Sequence, residues 1–272
     1  MKKRLLIGFL TTTFLFTMLF GGTAYAINGD AGTDATLLEE FTLDAQREVI
    51  LEDDSLTAEE KAISLERIKI TEYIERNGDA ISINNAEMIS RISEIAPRAT
   101  TNSVGFVVRP VWVSTQINNW FCGPATGVQT LNYFDRNMRE TQHTLAAAFG
   151  TTTAGTDGLR MLREINNRKS GLPYMVAHPT TPSSTEFFIF GGLSTFNMPP
   201  ILRIRTIAGI GWDYVTNGHF LNASGYCGFH RSVELTDPFI KRLHPWHSGK
   251  YWMPLQLVHD ATLRHPQRHM YW

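Results

Sequence analysis

Hydrophobic and polar positions follow two different rhythms along this chain. From residue 27 to residue 99 the rhythm is helical. The stretch "SLTAEEKAISLERIKITEYIERNGD" opens with Thr57 three residues ahead of Glu60, the spacing of a capping box. Ile63, Ile70 and Ile74 recur at helical spacing, with Arg67 and the glutamates assigned to the opposite face, and Asn77-Gly78 stops the run. An earlier helix is expected from Leu37 to Leu51. A shorter one is expected through Ala86, Ile89, Ile92 and Ile95, ending at Pro97. The stretch holds no Cys or Trp and is poor in core residues, so it reads as a segment that folds against a partner. "PRATTNS" follows as a linker.

The second rhythm starts at Val104. "VGFVVRPVWV" is β-branched and aromatic, the composition of a strand. Val128, Leu131 and Phe134 mark one buried face of a helix that begins near Cys122. Further helices are expected from Gln142 to Phe149 and over "LRMLREINNR". After Pro173 the pattern becomes a series of short strands: "YMVAH", "FFIFGG", "ILRIRT", "HFLNASGY" and "SVELTDPF". Helices first and strands later predict an α+β fold with an antiparallel sheet.

The N-terminus sets the compartment. Lys2, Lys3 and Arg4 precede an apolar run from Leu5 to Phe20, and small residues lead to Ala24-Tyr25-Ala26. That is the layout of a secretory signal cleaved after Ala26. The expected division is therefore 1–26 signal, 27–99 acidic helical pro-segment or helical subdomain, and 100–272 catalytic domain. Charge sharpens it. Residues 27–99 carry 17 acids and 7 bases, whereas residues 100–272 carry 9 acids, 15 bases and all nine histidines. Segments of opposite sign attract, so the acidic segment is expected as an intramolecular partner of the rest. The bases are scattered, which argues against nucleic acid. Outside the leader no apolar stretch is long enough to span a bilayer. No cofactor is expected. The histidines of "HPWH" and "HPQRH" are close together, but Pro245 and Pro266 break the helical geometry of a paired metal site.

Two cysteines in an exported chain make no disulfide framework. Cys122 stands in "NWFCGPATGVQ", and Pro124 suits the first turn of a helix. A thiol at a helix N-terminus is favoured as thiolate. Gly123 removes bulk beside the sulfur, and Trp120 stands nearby, so both are candidates to contact a substrate. Gln116, six residues upstream, is a candidate amide donor to an oxyanion. His219 follows the turn "TNG" and begins a strand. Asp237 ends the next strand, and two antiparallel strands joined near Cys227–Arg231 bring it back beside His219. An acid there orients the imidazole toward a thiol. A Cys122–Cys227 disulfide is the alternative, and it excludes that arrangement because Cys227 lies eight strand residues beyond His219.

Together "QINNWFCGPATGVQTLNYF", "GTTTAGTDGLRMLREIN", "GHFLNASGY" and "LTDPF" resemble the bacteriocin-processing (double-glycine) peptidase-like family of papain-like cysteine peptidases, over about Val111 to Phe239. The resemblance implies a papain-like α+β fold and peptide-bond hydrolysis. It implies Cys122 as nucleophile, His219 as general base and acid, Asp237 as orienting residue and Gln116 as oxyanion donor. Founding members of that family are fused to an ATP-driven exporter, and this chain has no phosphate-binding loop. Cleavage after double glycine is therefore not carried over, and a peptide or protein substrate is expected without further definition. Two other functions fit the same residues: a cell-wall peptide amidase or acyltransferase, and a non-catalytic secreted interaction protein.

Overall fold

The computed structural model describes residues 26–28, 42–77 and 105–272. The expected leader run, the helix through Ala86–Ile95 and the "PRATTNS" linker lie outside the described residues.

The architecture is α+β, built on a mostly antiparallel sheet of the order β3-β8-β4-β5-β6-β7. The strands are β3 (Val176–Ala177), β4 (Ile201–Thr206), β5 (Val215–Cys227), β6 (Ser232–Thr236), β7 (Lys250–Pro254) and β8 (Met270–Tyr271). At 13 residues, β5 is long enough to take two partners on each edge. Strand β4 and then β2 (Phe106–Val108) cover one edge. Strand β6 and then β1 (Ala26–Asn28) cover the other, with β1 running parallel beside Val215–Gly218. Both faces of β5 are buried from Gly218 to Cys227, and the polar side chains His219, Asn222 and Ser224 are buried with the apolar ones.

The helix carrying Cys122, α3 (Cys122–Phe134), packs on this strand. Two hydrogen bonds fix its register. Thr126 Oγ1 donates to the Phe220 carbonyl at 2.9 Å, and Asn222 Nδ2 donates to Thr130 Oγ1 at 2.9 Å. Cys122 lies one turn ahead of Thr126 and His219 one residue ahead of Phe220, so these bonds align thiol and imidazole. Behind α3 stand α4 (Gln142–Ala148) and α5 (Gly158–Arg168). Thr141 caps the first and Asp157 the second.

Two expectations are corrected. "FFIFGG" is not a strand but the end of helix α6 (Pro182–Phe190), which runs on into a π-helical turn, Gly191–Thr195. The capping box of Thr181 with Ser184, and Pro182 in the first turn, start a helix that the aromatic run then continues. The second correction concerns Arg67. It is fully buried, not on the solvent face. The spacing explains this, since position 67 lies four beyond Ile63, three before Ile70 and seven before Ile74, within the same stripe.

Arg67 belongs to α2 (Ala58–Asn77), which pairs with α1 (Leu43–Glu52). Its guanidinium donates to the carbonyls of Pro173, at 2.8 Å, and Trp272, and lies 4.6 Å and 4.8 Å from the ring centroids of Phe196 and Trp272. Ile50, Ile68, Ile70 and Ile74 join the main core, so this stretch supplies more core than its composition promised. The helices also finish the sheet. Edge strand β3 would leave amides unpaired, and Gln46 Oε1 accepts from Val176 N while Glu75 Oε1 accepts from His178 N, both at 2.9 Å. This edge is three strand spacings away from β5 in the sheet order.

Arg67→Met is expected to lower the unfolding free energy by about 3 kcal/mol, because two buried carbonyls lose a charged donor. Urea titration of the full chain measures it. A loss below about 1 kcal/mol would contradict the clamp.

Candidate active site

Cys122 is the first residue of α3, where backbone N–H groups have no partner inside the helix. Phe121, at the cap position, is buried and sets its ring edge-on to His143, 5.6 Å away. A Cβ added to Gly123 would stand 2.4 Å from Thr156 Oγ1. The turn therefore needs glycine for its close approach to Thr156, a packing reason separate from any contact with substrate. Trp120 is half-buried one residue before Phe121. Cys122 and Cys227 are both free thiols, so the disulfide alternative is not formed.

His219 sits on β5 and Asp237 just past β6, and their strands pair through Asn222 opposite Thr236. His219 Nε2 lies 2.9 Å from Asp237 Oδ1. Nδ1 has no hydrogen-bond partner among the described residues; it is the ring atom left for Cys122, whose side chain is near enough to favour the charged imidazole. Thiol, imidazole and carboxylate thus stand in series, with no exposed surface on any of them.

The carboxylate is the most heavily bonded group in the site. Its Oδ1 also accepts from the backbone N–H of Phe239 at 2.8 Å and of Ile240 at 3.4 Å. Its Oδ2 accepts from Tyr214 Oη at 2.6 Å and Tyr251 Oη at 2.8 Å. Burial, and then the negative charge of Asp237, hold both phenols well above their ordinary pKa, so they remain donors. Burial opposes ionisation of Asp237, but the His219 charge and these hydrogen bonds overcome it and lower its pKa. For His219 burial again works against the charged form. Attraction to Asp237, their hydrogen bond and the thiol contact outweigh it, and the pKa is raised to about 9. At neutral pH the imidazole carries its proton.

Gln116 is buried beside this group. Its backbone N–H donates to the Pro238 carbonyl at 3.0 Å, one residue from Asp237. Side-chain Nε2 donates to the Asn118 carbonyl at 2.7 Å, which uses one of its two hydrogens. Gln142 fastens the loop from outside, with Nε2 on the Thr115 carbonyl at 2.8 Å and Oε1 accepting from Ile117 N at 3.1 Å.

The structure thus brings Cys122, His219 and Asp237 together and fastens the Gln116 loop to Pro238. Sequence reasoning missed Tyr214, Tyr251 and Gln142. No spacing rule links them to the triad; Tyr251 comes from β7, whose pairing with β6 sets it across from Leu235. Among the described residues, no cluster of His, Cys, Asp and Glu has the makings of a metal site.

No family model and no curated protein matches this chain. Among solved structures, a protein from Bacillus anthracis assigned as a C39-like peptidase is similar at 12% identity and a TM-score of 0.44. The alignment spans 61% of this chain and 96% of that one. A likeness this slight transfers no residue roles.

The raised His219 pKa gives a signed prediction. Below pH 6.5 the ion pair with Asp237 contributes its full stabilisation, and this is lost as pH rises through about 9. The melting temperature is expected to fall between pH 7 and pH 10, by the equivalent of roughly 3 kcal/mol. In Asp237→Asn that fall should flatten. An unchanged slope in the variant would contradict the assignment.

Proposed function

We propose that this chain is an exported cysteine peptidase. The observation that supports it most is His219 bonded through one nitrogen to Asp237 with the other left for Cys122. With the imidazole already holding its proton, the thiol releases its own to water, which leaves a thiolate–imidazolium pair. The sulfur attacks the peptide carbonyl carbon and a C–S bond forms. Negative charge gathers on the carbonyl oxygen, where the Cys122 backbone N–H and the second hydrogen of Gln116 Nε2 are donors. His219 gives its proton to the leaving amine as the C–N bond breaks, leaving a thioester. Water, deprotonated by the now neutral His219, releases the acid and restores the thiol.

The acidic segment divides in this reading. Residues 42–77 are a retained subdomain, since Arg67 and the β3 edge build them into the core. Ala26–Asn28 is different. It lies against Val215–Gly218, immediately before His219, while Cys122 and His219 have no exposed surface. A substrate needs neighbouring chain to move aside, and Ile27–Asn28, the part of this strand that cleavage after Ala26 leaves, is the segment we assign to that movement. Export through the leader ending at Ala26 belongs to the same proposal.

Cys122→Ala is expected to lower hydrolysis of unfolded protein by about 1,000-fold or more. Gln116→Ala should lower it by about 100-fold, mainly in kcat. Assays on unfolded protein and on cell-wall peptides in parallel separate a peptidase from an amidase. Equal activity of wild type and Cys122→Ala would end the proposal.

A further inference from the structure

A cavity of about 120 Å³ lies behind the triad acid, and the proposed reaction does not use it. Its walls include Trp212, Tyr214, His247, Tyr251 and Met253, with Asp213 exposed among the lining residues. The aromatic walls meet at steep angles. Trp212 and Tyr214 have centroids 6.2 Å apart with planes at 69°, and His247 and Tyr251 are 5.8 Å apart at 76°. No lysine or arginine lines the cavity. Asp213 forms no ion pair with the described residues. The Gly249 amide donates to His247 Nδ1 at 3.0 Å.

An aromatic enclosure with a carboxylate and no opposing cation selects positive charge, through ring quadrupoles and direct attraction. An anion would meet Asp213 with nothing to balance it. A purely apolar ligand would leave Asp213 unused. We propose that this cavity binds an organic cation, the ammonium or guanidinium head of a lysine or arginine side chain or of a free amine. Its position gives the site a consequence. Tyr214 and Tyr251 line the cavity with their rings and hold Asp237 with their hydroxyls. The Tyr214 ring is also 5.5 Å from the His219 ring. A cation there is separated from the catalytic imidazole by one aromatic ring, that of Tyr214. This side-chain arm of the proposal rests on the peptidase reading, whereas cation binding itself does not.

The probes are tetramethylammonium and butylammonium chloride, titrated into the full chain at constant ionic strength. The readout is the indole N–H resonance of Trp212, assigned with Trp212→Phe. Saturable shifts are expected, weakened about fivefold to tenfold in Asp213→Asn. In a second arm, peptides differing only by lysine against norleucine are compared as substrates. A several-fold lower KM for lysine, erased in Asp213→Asn, assigns the site to a substrate side chain. Amine binding with no lysine preference assigns it to a free amine. Absence of saturable binding, or binding indifferent to Asp213→Asn, overturns the site. Because the resonance reports binding without turnover, failure of the peptidase reading is seen separately, in the Cys122→Ala comparison.

Discussion

Everything in the candidate site hangs on one carboxylate. Asp237 has no exposed surface, and a bare carboxylate so placed would protonate or pull the fold apart. Five donors prevent it: the His219 ring, two tyrosine hydroxyls and the amides of Phe239 and Ile240. The five donors come from four demands on the fold. The pairing of β5 with β6 supplies His219, β7 supplies Tyr251, the approach to β5 supplies Tyr214, and the turn after β6 supplies the amides. The imidazole is thereby held in place and kept charged, and its remaining nitrogen is left for a thiol at a helix start. Strand register and the raised tyrosine pKa values are consequences of satisfying one buried negative charge.

A second buried charge organises the other end of the sheet. Arg67 has no exposed surface either, and burial lowers its pKa. Two carbonyls and two aromatic faces surround it. This cation joins an acidic helical pair to a sheet edge that would otherwise present open amides. The opposite net charges of the two segments act through few direct contacts, notably Glu75 with His178 at 3.3 Å. Among the described residues, most other ion pairs stay within one segment, as in Arg47 with Glu72 and Arg168 with Glu140. Complementary charge is therefore a minor part of what holds the helices on; core burial and the Arg67 clamp are the larger part.

How legible this was depended on whether the deciding interaction was local. Cys122 before Gly123-Pro124 announces a helix start by local rules, and the structure begins α3 at that residue. His219 and Asp237 could be paired because a short turn joins their strands, so sequence distance maps simply onto register. Tyr214 and Tyr251 reach the same carboxylate through tertiary pairing that no short motif encodes. "FFIFGG" shows the opposite failure. The cap of Thr181 and Ser184, with Pro182 in the first turn, starts a helix and overrides the strand-like aromatic run. Arg67 was misassigned because charge was read as exposure, although its spacing placed it among the isoleucines. Strand β3 falls within the expected strand "YMVAH", whereas the two-residue β8 is too short for any period to show.

The central claim is that Asp237 keeps His219 protonated at neutral pH beside Cys122. Carbon-13 labelling of the histidine rings, with NMR titration of the full chain from pH 5 to pH 10, tests it directly. His219, assigned by its loss in His219→Gln, should titrate near pH 9 in the wild type. In Asp237→Asn its pKa should drop below the wild-type value, because only the Cys122 contact is then left to oppose burial. A wild-type His219 that titrates near 6.5, or one that keeps its value in Asp237→Asn, would contradict the account.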